Sequence, residues 1–374
     1  MSSNSHPIGS KRPDSASVDN AGRTHNLART LGIVCLLVLV LAAGLMHGLR
    51  QSSPGSGSDS RASQTPAEKS LEAISQTAVL VSDVDTSVVA APYLFVLGVA
   101  QDAGYPQAGC YQPHCLTGWE VPGAKRGATA LGLVTSAQKY LFEATPDFPS
   151  QLYAFEQEAP SETHPLAGIF LTHAHIGHYS GLMYLGHEVM GASEMPVFAM
   201  PRMSEFLKEN GPWSQLVGFE NIVLKSLQHE RSVDAGGGVR VTPFLVPHRD
   251  EFSETVGYRI ASESRSAVFI PDINKWQVWS EDLREVVKAN DYALIDATFF
   301  ADGELPGRDM SKIPHPFVSE SMALLQDLPA DERNKVWFIH LNHTNPLLVK
   351  DSEEARLVEA AGYHVAREGI RLAL

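Results

Sequence analysis

Basic residues are scarce in this chain. Lys and Arg number 29 against 43 Asp and Glu, which leaves a formal net charge of −14 over 374 residues. A nucleic-acid-binding surface needs a cationic face to displace phosphate counterions, so this balance argues against that class and favours a small-molecule substrate. Up to residue 91 the signs cancel, seven against seven, so the remainder carries 29 − 7 = 22 basic and 43 − 7 = 36 acidic residues. Cysteine is rarer still. Of three thiols, Cys35 lies in an apolar run and Cys110 and Cys115 share one loop. No short repeat of solenoid type is found. What is present, 44% apolar and 19% charged residues, suits a globular protein with a sizeable core.

Residues 1–30 are Ser-, Asn- and Pro-rich without an apolar period, which predicts disorder. From Thr30 to Leu49 the chain carries no formal charge, about 20 residues and enough for one transmembrane helix, assigned to 31–49. Lys11, Arg12, Arg23 and Arg29 precede it, so the positive-inside rule puts the N-terminus in the cytoplasm and the rest in the periplasm or outside the cell. Ala42-Ala43-Gly44-Leu45-Met46-His47 makes a poor cleavage site, which favours an uncleaved signal anchor over secretion after cleavage. Residues 50–90 read as a flexible linker, most plainly at Gln51–Ser58, and one compact domain is expected over 91–374.

Within that domain, apolar or alternating runs predict strands at Tyr93–Val99, Ala128–Val134, Tyr140–Glu143 and Leu166–Leu171. More follow at Ile222–Leu224, Val239–Val246, Val256–Ile260, Ala267–Ile270, Tyr292–Ile295 and Val336–Ile339. Helices are expected at Tyr179–Leu185, Glu205–Glu209, Leu283–Ala289, Ser319–Leu325 and Glu353–Ala361. Strands predominate first, then mix with helices, and the pattern returns. That order predicts an α+β fold of two packed sheets with helices outside.

The polar chemistry sits where strands end. Leu166–Leu171 runs into Thr172-His173-Ala174-His175-Ile176-Gly177-His178, three imidazoles in six residues. Neutral imidazole is the commonest protein ligand for zinc-like ions, so this loop is a candidate metal site. Phe244-Leu245-Val246-Pro247 delivers His248, Ala267–Pro271 delivers Asp272, and Val336–Ile339 delivers His340 with His343 three residues on. Strand ends converge on one sheet edge, where a site can be assembled from distant sequence. Asp296, after another strand, is either a ligand-orienting carboxylate or a helix cap. Glu143 and Asp147 are candidates to support the metal loop.

On these residues the chain resembles the metallo-β-lactamase superfamily, over roughly residues 92–374. His173-Ala174-His175-Ile176-Gly177-His178 is similar to its His-x-His-x-Asp-His signature. Gln101-Asp102-Ala103-Gly104, Thr255-Val256-Gly257-Tyr258 and His340–Pro346 look most like the pyrroloquinoline-quinone biosynthesis protein B group, with the cyclic phosphodiesterases as a related branch. The resemblance implies a four-layer αββα sandwich. It also implies a first metal site of His173, His175 and His248, a bridging Asp272, and a second site with His178 and His340. One or two divalent ions are implied, zinc first, with manganese or iron as alternatives. Family members usually have Asp where this chain has Gly177, which leaves the second site in question.

Pro314-His315-Pro316 resembles the late histidine motif of the phosphodiesterase branch, where that residue protonates a leaving group; its plain alternative is helix entry. By the same resemblance, Cys110, His114, Cys115 and His343 form a structural zinc site, although Gln112 stands where the middle thiolate belongs. A Cys110–Cys115 disulfide is the alternative outside the cytoplasm. The implied function is a membrane-anchored hydrolase directing metal-bound hydroxide at a small phosphodiester or ester. The alternatives are a metal-dependent oxidase or hydroxylase of the quinone-cofactor type and a catalytically degenerate binding relative.

Overall fold

The computed structural model describes residues 92–374. The expected disordered segment 1–30, membrane segment 31–49 and linker 50–90 lie outside the described residues. Among the described residues, no helix is long and apolar enough to cross a membrane.

Two seven-stranded mixed sheets carry the fold. The first contains β1 (Tyr93–Gly98), β2 (Ala130–Val134), β3 (Lys139–Phe142), β4 (Leu166–Phe170), β5 (Met195–Ala199) and β6 (Ile222–Ser226) in that spatial order. The second runs β7 (Val233–Gly236), β8 (Val239–Leu245), β9 (Val256–Ala261), β10 (Ser266–Ile270), β11 (Tyr292–Asp296), β12 (Val336–Ile339) and β13 (His364–Val365). The last strand, β14 (Arg371–Ala373), crosses back to pair antiparallel with β1. Each sheet is half antiparallel and half parallel: β1–β2–β3 alternate in direction, then β3 to β6 run parallel. Likewise β7 to β10 alternate and β10 to β13 run parallel.

Three apolar clusters fix the layering. Leu94, Leu131, Phe142 and Phe170 of the first sheet meet Val241, Tyr258 and Phe269 of the second in one buried core. Phe142 stacks on Phe170 at 5.0 Å between ring centres, and Phe170 stacks on Phe198 at 4.3 Å. The outer face of the first sheet packs on helices α2 (Phe148–Glu158), α4 (Pro201–Glu209) and α5 (Trp213–Gly218) through Phe155, Leu207 and Leu216. The outer face of the second packs on α6 (Leu283–Lys288), α7 (Val318–Leu325) and α9 (Glu353–Ala360) through Val287, Leu325 and Val358. Helices, sheet, sheet and helices follow in that order. α8 (Ala330–Arg333) is a single exposed turn.

Two segments beside the histidine loop and the cysteines differ from expectation. The Gly/Pro loop from Gln101 closes into α1 (Pro113–Glu120), because Pro113 supplies a fixed φ at a first-turn position that needs no N–H donor. The run expected as one helix over Tyr179–Leu185 is instead a turn, α3 (Ile176–Tyr179), followed by a 3₁₀ segment, Ser180–Leu185. Its backbone is drawn sideways: Ala144 N–H donates to His178 O at 2.9 Å, and Gly181 N–H donates to Ala144 O at 2.8 Å. A Cβ on Gly181 would stand 2.1 Å from Thr145 O, so only glycine permits that approach.

Candidate metal centre

The strand directions explain why the polar residues meet. β1, β3 and β4 point the same way within the first sheet, as do β8, β10, β11 and β12 within the second. Their C-terminal ends release Asp102, Glu143, the histidine loop, His248, Asp272, Asp296 and His340. The second sheet also grips that loop. Val256 N–H donates to Thr172 O at 3.2 Å, the Tyr258 hydroxyl donates to Leu171 O, and Ala174 N–H donates to Ser253 Oγ at 2.8 Å.

His173, His175, His248 and Asp272 form the first group, each offering one donor atom within 4.8 Å of the others. Asp272 Oδ2 lies 3.3 Å from His173 Nε2, 3.2 Å from His248 Nε2 and 4.0 Å from His175 Nδ1. His175 Nδ1 is 2.8 Å from His173 Nε2 and 3.2 Å from His248 Nε2. Ligand atoms about 2.1 Å from a tetrahedral ion stand roughly 3.4 Å apart, so this spacing suits a zinc-sized ion. The outward nitrogens are tied down. Thr172 Oγ1 donates to Glu143 Oε1 at 2.6 Å and so can accept from His173 Nδ1 at 2.9 Å. His248 Nδ1 faces Asn274 Oδ1 at 3.3 Å, and His175 Nε2 faces Glu251 Oε2 at 3.3 Å. Such partners set the tautomer and turn the bare nitrogen inward.

Asp102, His178 and His340 form the second group, also within 4.8 Å. His178 Nε2 is 3.3 Å from Asp102 Oδ1 and 3.8 Å from Asp272 Oδ2. His178 Nδ1 faces Glu143 Oε1 at 3.2 Å, and His340 Nδ1 lies 3.0 Å from Thr298 Oγ1, which donates to Asp296 Oδ1 at 2.7 Å. The His340–Thr298–Asp296 chain thus repeats the His173–Thr172–Glu143 chain of the first group. Four buried atoms here lack a hydrogen-bond partner: Asp102 Oδ1, His178 Nε2, Asp272 Oδ1 and His340 Nε2. Buried polar atoms are nearly always paired, so four orphans from four distant segments fit a cation among them.

The charges agree. Burial opposes a proton on His178, yet Glu143 and Asp102 outweigh it and hold the imidazole pKa well above its ordinary value. Burial, helped by His178, pushes His173 well below. Burial would raise Asp272, but His248 and His315 hold it well below the usual carboxylate range. The pocket therefore calls for positive charge, which an ion can supply in place of protons.

His315 lies beside both groups. Its Nδ1 is 2.9 Å from Asp296 Oδ2 and 3.2 Å from Asp272 Oδ1. Burial disfavours its cation, but Asp296 and then Asp272 prevail and raise its pKa to about 9. An ion on Asp272 would withdraw that carboxylate's share and leave Asp296 as the partner. Asp296 thus orients a histidine and caps no helix; it also accepts from Ile273 N–H at 3.1 Å and Thr298 N–H at 2.8 Å. Asp147 does not support the metal loop: it accepts from Ala128 N–H at 2.8 Å, away from the histidines.

Cys110, His114, Cys115 and His343 come together as a separate group of four donors. Both thiols are free, so the disulfide alternative is not what the structure contains. Cys110 Sγ is 3.4 Å from His114 Nε2, and burial together with Cys110 pushes the Cys115 thiol up to about 11. Two thiols and two imidazoles are the donor types of a Cys2His2 zinc set. His164, His187 and His229 lie outside these three donor groups and outside a fourth made of Asp272, Asp296 and His315.

Sequence reasoning left Asp102 out of the site. Gln101-Asp102-Ala103-Gly104 carried part of the resemblance, and the signals for a ligand role were indirect: a missing carboxylate at Gly177 and an Asp in a turn at the end of β1.

The beta-lactamase superfamily domain matches residues 138–341, more than half of the chain. Coenzyme PQQ synthesis protein B from Methylobacterium sp. (strain 4-46) is 27% identical over 306 residues, covering 75% of this chain and 99% of that protein. Among solved structures, Zn(2+)-bound PqqB from Methylobacterium extorquens superposes with a TM-score of 0.64 at 24% identity, covering 75% of this chain and 100% of that one. A diphosphatase of the PhnP family superposes with a TM-score of 0.55 at 21% identity, covering 76% and 98%.

Proposed function

Because the chain belongs to the beta-lactamase superfamily, we propose that it is a metal-dependent hydrolase of a small phosphodiester or ester, anchored in a membrane by residues 31–49. The observation that carries the proposal is the inward array of bare imidazole nitrogens around Asp272, each with its other nitrogen held by a buried or polar partner. His173, His175, His248 and Asp272 would hold one ion, zinc by their number and spacing; His178 and His340, with Asp272 shared, would serve a second. When bound, such an ion supplies Lewis acidity and brings the pKa of water towards about 7.

The chain's own residues do the rest. Asp296 fixes His315 through Nδ1, which leaves Nε2 to exchange a proton with a leaving group. Held by Asp296 at 2.9 Å, His315 suits a general acid. The Cys110, His114, Cys115 and His343 set would hold a structural zinc near the loop that carries Asp102. The apolar segment with basic residues before it supports a cytoplasmic N-terminus and an extracytoplasmic catalytic domain.

The test is elemental analysis of the purified full chain together with initial rates on bis(p-nitrophenyl) phosphate and p-nitrophenyl acetate. At least one divalent ion per catalytic centre is expected, with hydrolysis of one substrate class abolished by chelation and restored by zinc. Fully metal-loaded protein that hydrolyses neither would contradict the hydrolase.

A further inference from the structure

Resting on that metal-centre reading, we propose that Asp102 is the carboxylate ligand of the second ion, standing in space where the signature carboxylate is missing at Gly177. A Cβ on Gly177 would lie 2.3 Å from Asp102 Cα, 2.8 Å from its Cβ and 2.4 Å from its Oδ1. The turn after β1 therefore occupies the room that a side chain at position 177 would need. Glycine there is the condition for Asp102 to approach, and the site has exchanged one carboxylate for another from a different strand end.

Several observations converge on this point. Asp102 Oδ1 is buried and unpartnered, although 35% of its side chain is exposed. It shares one space with the unpartnered Nε2 atoms of His178 and His340, both fully buried side chains.

Its placement is coupled to that of His340. Gln101 N–H donates to Leu341 O, and Leu341 N–H donates to Val99 O, both at 2.8 Å, so the residue before Asp102 is tied to the residue after His340. Six non-glycine residues of the described chain have positive φ, and three of them are Asp102 (23°), Glu143 (77°) and His340 (69°). That conformation is uncommon for such residues and concentrates at functional sites. With Asp102 and the shared Asp272, the second position has two carboxylates and two imidazoles, enough negative charge for a divalent ion. Gly177 consequently does not mark a degenerate site.

Competitive zinc titration of the full chain, stripped of metal and read against a chromophoric chelator, tests this. Its readout is binding, separate from turnover. Besides the zinc of the cysteine set, wild-type protein is expected to fill the first position and then the second. Asp102→Asn, which preserves shape, should weaken the second ion by more than the roughly 10–100-fold cost of losing an outer partner, with the first unchanged. Gly177→Asp should disturb the turn after β1, because its Cβ would meet the Asp102 Cα at 2.3 Å. Unchanged second-ion affinity in Asp102→Asn would overturn the assignment of Asp102 while leaving the first site intact. Loss of both ions in His173→Ala alongside retention of both in Asp102→Asn would do the same. A wild-type chain that binds no zinc at the histidine cluster would overturn the metal-centre reading itself.

Discussion

Glu143 braces both halves of the centre, so Glu143→Gln is an informative perturbation. The carboxylate is fully buried and accepts from Thr172 Oγ1 at 2.6 Å, from His178 Nδ1 at 3.2 Å and from Thr172 N–H at 3.3 Å. A glutamine can present only one oxygen. Its least unfavourable orientation keeps that oxygen towards Thr172 Oγ1 and His178, and points its NH2 at the Thr172 N–H. One buried donor then faces another, a loss of about 1–3 kcal/mol. For a domain of this size that lowers Tm by roughly 2–12 °C. The lost charge also releases His178 from its anionic partner, so zinc affinity at the second position should fall about 10–100-fold, the usual cost of removing a carboxylate behind a ligand histidine. The assays are calorimetry of the chelated protein and zinc competition titration. Unchanged Tm and second-ion affinity within a factor of two to three would refute the role given to Glu143.

Three further outcomes follow from the geometry. His315→Ala should lower kcat on the hydrolysed substrate by about 10²–10⁴-fold with zinc content unchanged, and should remove the alkaline limb expected of the wild-type pH–rate profile; an unchanged rate would exclude His315 from proton transfer. Glu158 takes a bidentate pair from Arg371 (2.6 Å each) and a hydroxyl from Tyr93 (2.7 Å), linking α2 to β1 and β14. Burial would raise its pKa, yet Arg371 and Tyr93 hold it below the ordinary value. Its stabilisation is therefore complete above the ordinary carboxylate range and drains as pH falls through the depressed pKa. Glu158→Gln should thus lower Tm at pH 7, with the gap to wild type closing in acid; a gap independent of pH would contradict this. Finally, Cys110 and Cys115 should resist a thiol reagent until chelator is added, and Cys115→Ser should remove one zinc equivalent; immediate reaction of both thiols would count against a structural zinc.

Much of this was legible in one dimension because the fold uses strand ends as ligand carriers. His173, His175 and His178 are adjacent in sequence, and His248, Asp272 and His340 each close an apolar run, so pattern alone located them. The sheets brought these positions together through strand direction, which periodicity does not record. β5 escaped notice because Pro196 interrupts it, β7 because it carries Asp234 and Gly236, and β13 and β14 because they are two and three residues long. Asp102 escaped for another reason. Its partner in the exchange, Gly177, is 75 residues away (177 − 102), and a glycine in a signature reads as a loss until the space beside it is known to be filled. Glu143 was visible only as a strand-end carboxylate; its value comes from facing Thr172 and His178 together. The proposed membrane segment 31–49 rests on sequence alone, since it lies outside the described residues.

The most direct measurement is anomalous diffraction at the zinc edge from crystals of the zinc-loaded protein. The account predicts one peak among His173, His175, His248 and Asp272, and a second among Asp102, His178, His340 and Asp272. A zinc-loaded crystal with no peak inside the histidine cluster would contradict it.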